Sequence, residues 1–194
     1  IPIMWNETDL SLPCHDNMVW QLWTTADGAV TTEEIVGAAC ARGGLINSDS
    51  GYAYLDLPYA DISLEKSYEF ASVPEGTDKG KSVGAEAALW SEYVPDFKTA
   101  CKRTLPRLSA LAEKMWTGEG DFSEFKTRLE IFSEFLSDLG YKGASERQAS
   151  PGKVRAFFQK IWFERRQLHW QGLHNLIDNA AVKRKYAAKG DKKC

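Results

Sequence analysis

The chain has 194 residues, 43% of them hydrophobic, enough for one domain with a substantial core. No apolar run reaches membrane-spanning length, so no membrane span is expected, and no charged start leads into an apolar segment, which says little about localisation because the chain opens inside an element. The net charge of −3 is unevenly divided: residues 1–141 carry 11 Lys and Arg against 23 Asp and Glu, whereas residues 142–194 carry 13 against 4. A basic end suits a polyanion or a membrane surface, but a solvated helix docking on an acidic body explains the split as well and is the reading favoured, with no nucleic-acid partner expected.

Ile1 to Trp5 reads as a strand, which places the start of the chain inside an element and predicts sequence upstream of it. A second strand is predicted from Met18 to Trp23. Thr31 with Glu34 three residues later has the pattern of a capping box, and the helix it opens is predicted to close at Gly43 and Gly44. A third strand follows from Gly44 to Asn47, and a fourth from Val83 to Trp90. In the fourth, the small and apolar run Gly84 to Leu89 suits a strand buried on both faces. After Tyr93 a helix is predicted with the apolar face Leu105, Leu108, Ala112, Met115 and Trp116.

Beyond Trp116 the pattern turns purely helical. Asp121 and Glu124 again have capping-box spacing, ahead of the face Phe125, Leu129, Phe132, Phe135, Leu136 and Leu139, with Gly140 as the stop. Ser150 is predicted as the N-cap of a last helix with Pro151 at its first position, and Val154, Phe157, Phe158, Ile161, Leu168, Leu173, Leu176 and Ile177 continue the apolar pattern. From Lys183 the stripe is lost and the end is predicted to fray. Cys14, Cys40, Cys101 and Cys194 are scattered without a Cys-x-x-Cys pair, and four cysteines allow three disulfide pairings. His15, His169 and His174 form no metal motif, so no metal or organic cofactor is implied. Cys14 beside His15 reads as a loop accident.

Strand-helix grammar with polar and aromatic residues at strand ends points to a (βα)8 barrel, whose sites lie on the C-terminal rim of the strands. A complete barrel takes about 250 residues, whereas only residues 1–116 precede the helical tail here. The fold class predicted is therefore α/β, the C-terminal half of a TIM barrel (its last four strands) followed by helices. Residues 1–140 are assigned to that half-barrel, and residues 141–194 to a basic helical extension. A half-barrel exposes two sheet edges, so the chain is expected to pair with a missing N-terminal half, to form a homodimer, or to be unstable.

Trp5, Trp23, Tyr54 with Asp56, and Trp90 with Glu92 fall at successive strand ends. A Trp offers a flat face to a sugar ring, and a carboxylate accepts hydrogen bonds from two hydroxyls at once. A group of aromatic walls also suits an N-acetyl methyl group, which apolar contact rewards over a plain hydroxyl. Trp20 and Glu7 are less suited to this role: Trp20 reads as packing between sheet and helix, and Glu7 as a loop residue.

The run Gly84, Glu86, Trp90, Glu92, Tyr93, followed by Pro106, Arg107, Ala110, Ala112, Glu113 and Trp116, resembles the last strand and helix of family 20 glycoside hydrolases, the β-N-acetylhexosaminidases. With the first three strand ends the resemblance covers residues 1 to about 140. Ala53 and Ser91 depart from residues common in the family, and neither change removes a contacting group. The resemblance implies that Trp5, Trp23 and Trp90 wall an acetamido pocket and that Tyr54 hydrogen-bonds the acetamido oxygen as the catalytic positioning group. Asp56 and Glu92 would then hold sugar hydroxyls around O4 and O6.

The implied reaction releases terminal β-linked GlcNAc or GalNAc from glycans, with the substrate's acetamido oxygen serving as nucleophile. It needs an Asp-Glu acid pair, which the resemblance places upstream of Ile1. No substitute is found: Glu33 and Glu34 sit in a helix cap, and Asp9, Asp16 and Asp27 lie in loops. The chain alone is thus expected to be inactive, and a non-catalytic sugar-binding or scaffolding remnant is the alternative. Most relatives of this kind are secreted, periplasmic or lysosomal, and the compartment stays open.

Overall fold

The computed structural model describes residues 1–6, 17–24, 31–78 and 80–166. The Cys14 and His15 pair, Glu7, Asp9, Asp16, Asp27, His169, His174, Cys194, the continuation of the last helix past 166 and the predicted fraying from Lys183 lie outside these residues. Four strands, β1 (Ile3–Trp5), β2 (Met18–Leu22), β3 (Gly43–Asn47) and β4 (Ser82–Ala85), form one sheet in the order β1-β2-β3-β4. Every pair is parallel, so each strand lies beside its predecessor and all four point the same way. Their C-terminal ends therefore meet on one rim.

β2 is buried along its whole length, and its side chains alternate between two faces. Met18, Trp20 and Leu22 face helix α1 (Thr32–Arg42), forming a core with Ile35, Val36, Ala39 and Leu45. Trp20 packs between sheet and helix, as its sequence context indicates. The capping box of α1 is complete: the Glu34 N–H donates to Thr31 Oγ1 at 3.2 Å and the Thr31 N–H donates back to Glu34 Oε2 at 2.9 Å. That return bond holds the Glu34 carboxyl below its ordinary range. Gly43 follows α1 at a point of close strand approach, where a Cβ would stand 1.7 Å from the Met18 carbonyl oxygen.

The fourth strand differs from expectation. β4 ends at Ala85 rather than reaching Trp90, and it is not buried on both faces, with Val83 60% exposed. Among the described residues it is the last strand of the sheet, so its outer side has no neighbour. Past Ala85 only a single bridge, Tyr54 to Ala88, continues the pairing, with Leu55 donating its N–H to the Ala88 carbonyl at 2.7 Å. Two short helices that periodicity did not reveal, α2 (Ser50–Ala53) and α3 (Leu64–Tyr68), occupy the connection from β3 to β4.

The helix predicted after Tyr93 is two helices, α4 (Phe97–Thr104) and α5 (Arg107–Thr117), parted at Leu105-Pro106. The proline carries no N–H to continue the ladder. The buried face of α5 is Arg107, Ala110 and Leu111; Leu108, Ala112 and Trp116 from the expected face are exposed. Gly118 in the left-handed conformation, φ 71°, closes α5. Asp121 caps α6 (Phe122–Asp138) by accepting from the Glu124 N–H at 2.9 Å. Of the face predicted for α6, Phe125 is buried, Leu129 and Leu136 are partly covered, and Phe132, Phe135 and Leu139 are exposed. Ser150 does not cap the last helix: it ends a short helix, α7 (Glu146–Ala149), opened by a Ser145 and Gln148 capping box. The helix α8 spans residues 153–166 to the limit of the described residues.

Candidate active site

The rim at the C-terminal ends of the strands holds a cavity of about 410 Å³ lined by Trp5, Trp23, Tyr54, Asp56, Trp90, Glu92 and Tyr93. All six site residues predicted from sequence are among these seven. Four rings make a closed circuit. Trp5 meets Trp23 edge-on at 6.5 Å between centroids, Trp23 stacks on Tyr54 at 6.0 Å, Tyr54 meets Trp90 at 6.2 Å, and Trp90 returns to Trp5 at 6.0 Å. The rings come from four successive segments: Trp5 ends β1, Trp23 follows β2, Tyr54 closes α2 after β3, and Trp90 stands five residues past β4, so the parallel sheet and its connections bring together residues up to 85 positions apart in sequence. The circuit is an apolar frame with two carboxylates, Asp56 and Glu92, at its margin.

Asp56 is 5% exposed, and its Oδ1 is buried without a hydrogen-bond partner. A buried acceptor of this kind needs a donor to offset lost hydration, and a hydroxyl is a donor of the right kind. Burial pushes its carboxyl above the ordinary value and Glu92 adds to the rise; the N–H groups of Asp56 and Trp90 and the Arg107 guanidinium act the other way. Glu92 is exposed, within the 3-10 turn Ser91–Tyr93.

Several residues that build this rim were not picked out for it by sequence. Asn6, fully buried after β1, accepts from the Trp23 N–H at 2.9 Å and donates from Nδ2 to the Thr24 carbonyl at 2.6 Å. It thereby locks the end of β2, and hence Trp23, against the end of β1. Below the cavity, Gln21 Nε2 donates to Ser48 Oγ at 3.0 Å and also to Glu86 Oε1, joining β2, β3 and the segment after β4. The most elaborate support is Arg107, which is fully buried. Its guanidinium donates to the carbonyls of Leu55 at 2.5 Å, Leu57 at 3.0 Å and Ile62 at 3.1 Å, and to that of Arg103. Leu55 and Leu57 flank Asp56. Arg107 thus grips the backbone on both sides of the buried carboxylate, while its face lies 4.2 Å from the Tyr59 ring centroid.

Cys40 and Cys101 are free thiols. Among the described residues no group of three His, Cys, Asp or Glu is placed to hold a metal ion, and no helix is long and apolar enough to cross a membrane.

Residues 1–119 match the profile of the glycosyl hydrolase family 20 catalytic domain. A β-N-acetylhexosaminidase of Cellulomonas fimi is 30% identical over 165 residues, an alignment covering 76% of this chain and 32% of the relative. A probable β-hexosaminidase of Arthroderma benhamiae is 27% identical and is covered to 30%. The chain therefore spans about a third of the length of the curated relatives it matches. Among solved structures, the family 20 β-N-acetylhexosaminidase of Streptomyces coelicolor A3(2) superposes with a TM-score of 0.65 at 22% identity, covering 76% of this chain and 33% of that one. A mutant β-hexosaminidase of Streptomyces plicatus, solved in complex with its product GlcNAc, gives the same TM-score at 24% identity, covering 76% of this chain and 32% of that one. These likenesses establish a shared α/β fold with a parallel sheet, and the profile match over more than half of the sequence establishes the lineage: the chain belongs to glycosyl hydrolase family 20.

Proposed function

We propose that this chain forms the sugar-recognising part of a β-N-acetylhexosaminidase that releases terminal GlcNAc or GalNAc from the non-reducing end of glycans. The observation that carries the reading is the closed circuit of Trp5, Trp23, Tyr54 and Trp90 beside the unpartnered Asp56 Oδ1. An acetamido methyl group gains by contact with such a frame, and one fully buried methyl is worth about 0.8 kcal/mol. Asp56 and Glu92 take sugar hydroxyls, which fixes the ring while the acetamido group is held among the aromatics.

In this reading the reaction is substrate-assisted. The acetamido oxygen attacks the anomeric carbon, and Tyr54 holds it in line through its hydroxyl. That is catalysis by positioning. Asp56 and Glu92 are assigned to hydroxyls rather than to proton transfer, and the Asp-Glu acid pair is assigned to a part of the protein outside this chain. The chain is accordingly the C-terminal half of a (βα)8 barrel, with the other strands supplied by that part.

The test uses a chromogenic β-GlcNAc substrate. The full-length protein is expected to hydrolyse it and the 194-residue chain alone is not. In the full-length protein, Tyr54→Phe should lower kcat on the order of 100-fold with a much smaller change in KM. An unchanged kcat would remove Tyr54 from the mechanism, and robust turnover by the chain alone would overturn the division of roles.

A further inference from the structure

We propose that helix α8, which lies beyond the residues matched to the family, is a structural part of the sugar site, with Phe163 as the positioning residue for Tyr93 and the Trp90-Glu92 turn. This rests on the reading of the rim cavity as the sugar site. Val154, Phe157, Phe158 and Trp162 of α8 are all more than half exposed, whereas Phe163 is 4% exposed. Its ring packs on Tyr93 at 4.7 Å between centroids, inclined by 57°. Tyr93 in turn lines the cavity beside Glu92 and Trp90.

The turn carrying Glu92 is short. Ser91–Tyr93 is a single 3-10 turn closed by the Val94 N–H to the Ser91 carbonyl at 3.1 Å, and Trp90, Ser91 and Glu92 are all exposed. Tyr93 is its least exposed member, so a ring packed on Tyr93 limits how the turn can swing. A second contact comes from the same face of α8. Lys160, three residues before Phe163, pairs with Asp61 at 3.1 Å. Asp61 lies on the loop that begins at Asp56 and is gripped by Arg107 at Leu57 and Ile62. One helix face thus touches both loops that carry the site's carboxylates.

A contact of this kind sets where Glu92 stands and takes no part in bond making, so it acts on ground state and transition state alike. Phe163→Ala in the full-length protein should raise KM for a chromogenic β-GlcNAc substrate about three- to tenfold with kcat within about twofold. Hydrogen exchange should show the Val94 amide exchanging at least about tenfold faster in that variant, with the β2 and β3 amides unchanged. Phe163→Tyr should restore both readouts, and Phe157→Ala, on the exposed face of the same helix, should alter neither. Unchanged KM together with unchanged Val94 exchange overturns the proposal. So does a KM effect that Phe157→Ala reproduces. Should Phe163→Ala fail to fold, Phe163→Leu is read by the same two measurements. Should the wild-type protein hydrolyse no hexosaminide, the functional reading fails and the exchange result alone decides the positioning role.

Discussion

A buried guanidinium with carbonyls as its hydrogen-bond partners makes Arg107 the most consequential side chain outside the cavity. Burial pulls it below its ordinary value, against the attraction of Tyr59 and Asp56, but an arginine so placed stays cationic at neutral pH. Arg107→Met would leave the carbonyls of Leu55, Leu57 and Ile62 without their donor and should cost about 3–5 kcal/mol in urea unfolding. Arg107→Lys keeps the charge but not the planar fork, and should fall between the two. The same pair separates structure from electrostatics through pH. Asp56 has a raised folded value, so its contribution to stability is most favourable at low pH and declines as pH rises through that value. In the proposed reading sugar binding uses the carboxylate and runs the other way: KM should rise as pH falls, beginning at a higher pH than for an exposed aspartate. The charged groups acting on Asp56 are Glu92, Arg107 and Arg103. Arg107→Met should move that acid limb to still higher pH and Arg107→Lys should leave it nearly in place, as read from KM against pH.

Helix α5 shows how an element can be found and its face still be misread. Apolar periodicity favours the stripe Leu105, Leu108, Ala112, Met115 and Trp116, whereas the buried residues are Arg107, Ala110 and Leu111, with Met115 alone of the expected helix face packed against their core. The fold buries this second set, because Arg107 is drawn inward by carbonyls on a loop 45 to 52 positions earlier, a partner that helical spacing does not encode. Leu111 then joins Ala53, Leu55 and Phe70, while Trp116 is 91% exposed. Unfolding should therefore separate the two: Leu111→Ala is expected to cost about 2–5 kcal/mol and Trp116→Ala less than about 0.5 kcal/mol. The rim was easier to read: Trp5 and Trp23 stand just past apolar runs, and Tyr54, Asp56, Trp90 and Glu92 fall in the motif order of the family that the chain resembles, so a parallel sheet gathers them. The supports behind the rim were not. Asn6, Gln21 and Arg107 act through backbone carbonyls and buried polar pairs, and α3 and α7 are too short for periodicity to register.

For the whole molecule the decisive feature is that the sheet has two outer strands among the described residues. β1 pairs only with β2 and β4 only with β3, and each exposes a large apolar side chain, Ile3 at 57% and Val83 at 60%. Unpaired strand edges flanked by apolar surface recruit further strands, and native proteins shield such edges or remove them by closing the sheet into a barrel. The helices add to this surface: Phe132, Phe135, Phe157 and Phe158 are all exposed. Closing the sheet with the remaining strands of a barrel would satisfy the edges and complete the rim in one step, which links the stability of the chain to the site it carries. Sedimentation of the 194-residue chain by itself should accordingly show dimers or larger assemblies, and mixing with the rest of the protein should convert them to a defined complex that binds GlcNAc. A compact, stable monomer of the chain alone would mean that the edges need no partner, and the half-barrel assignment would fall with it.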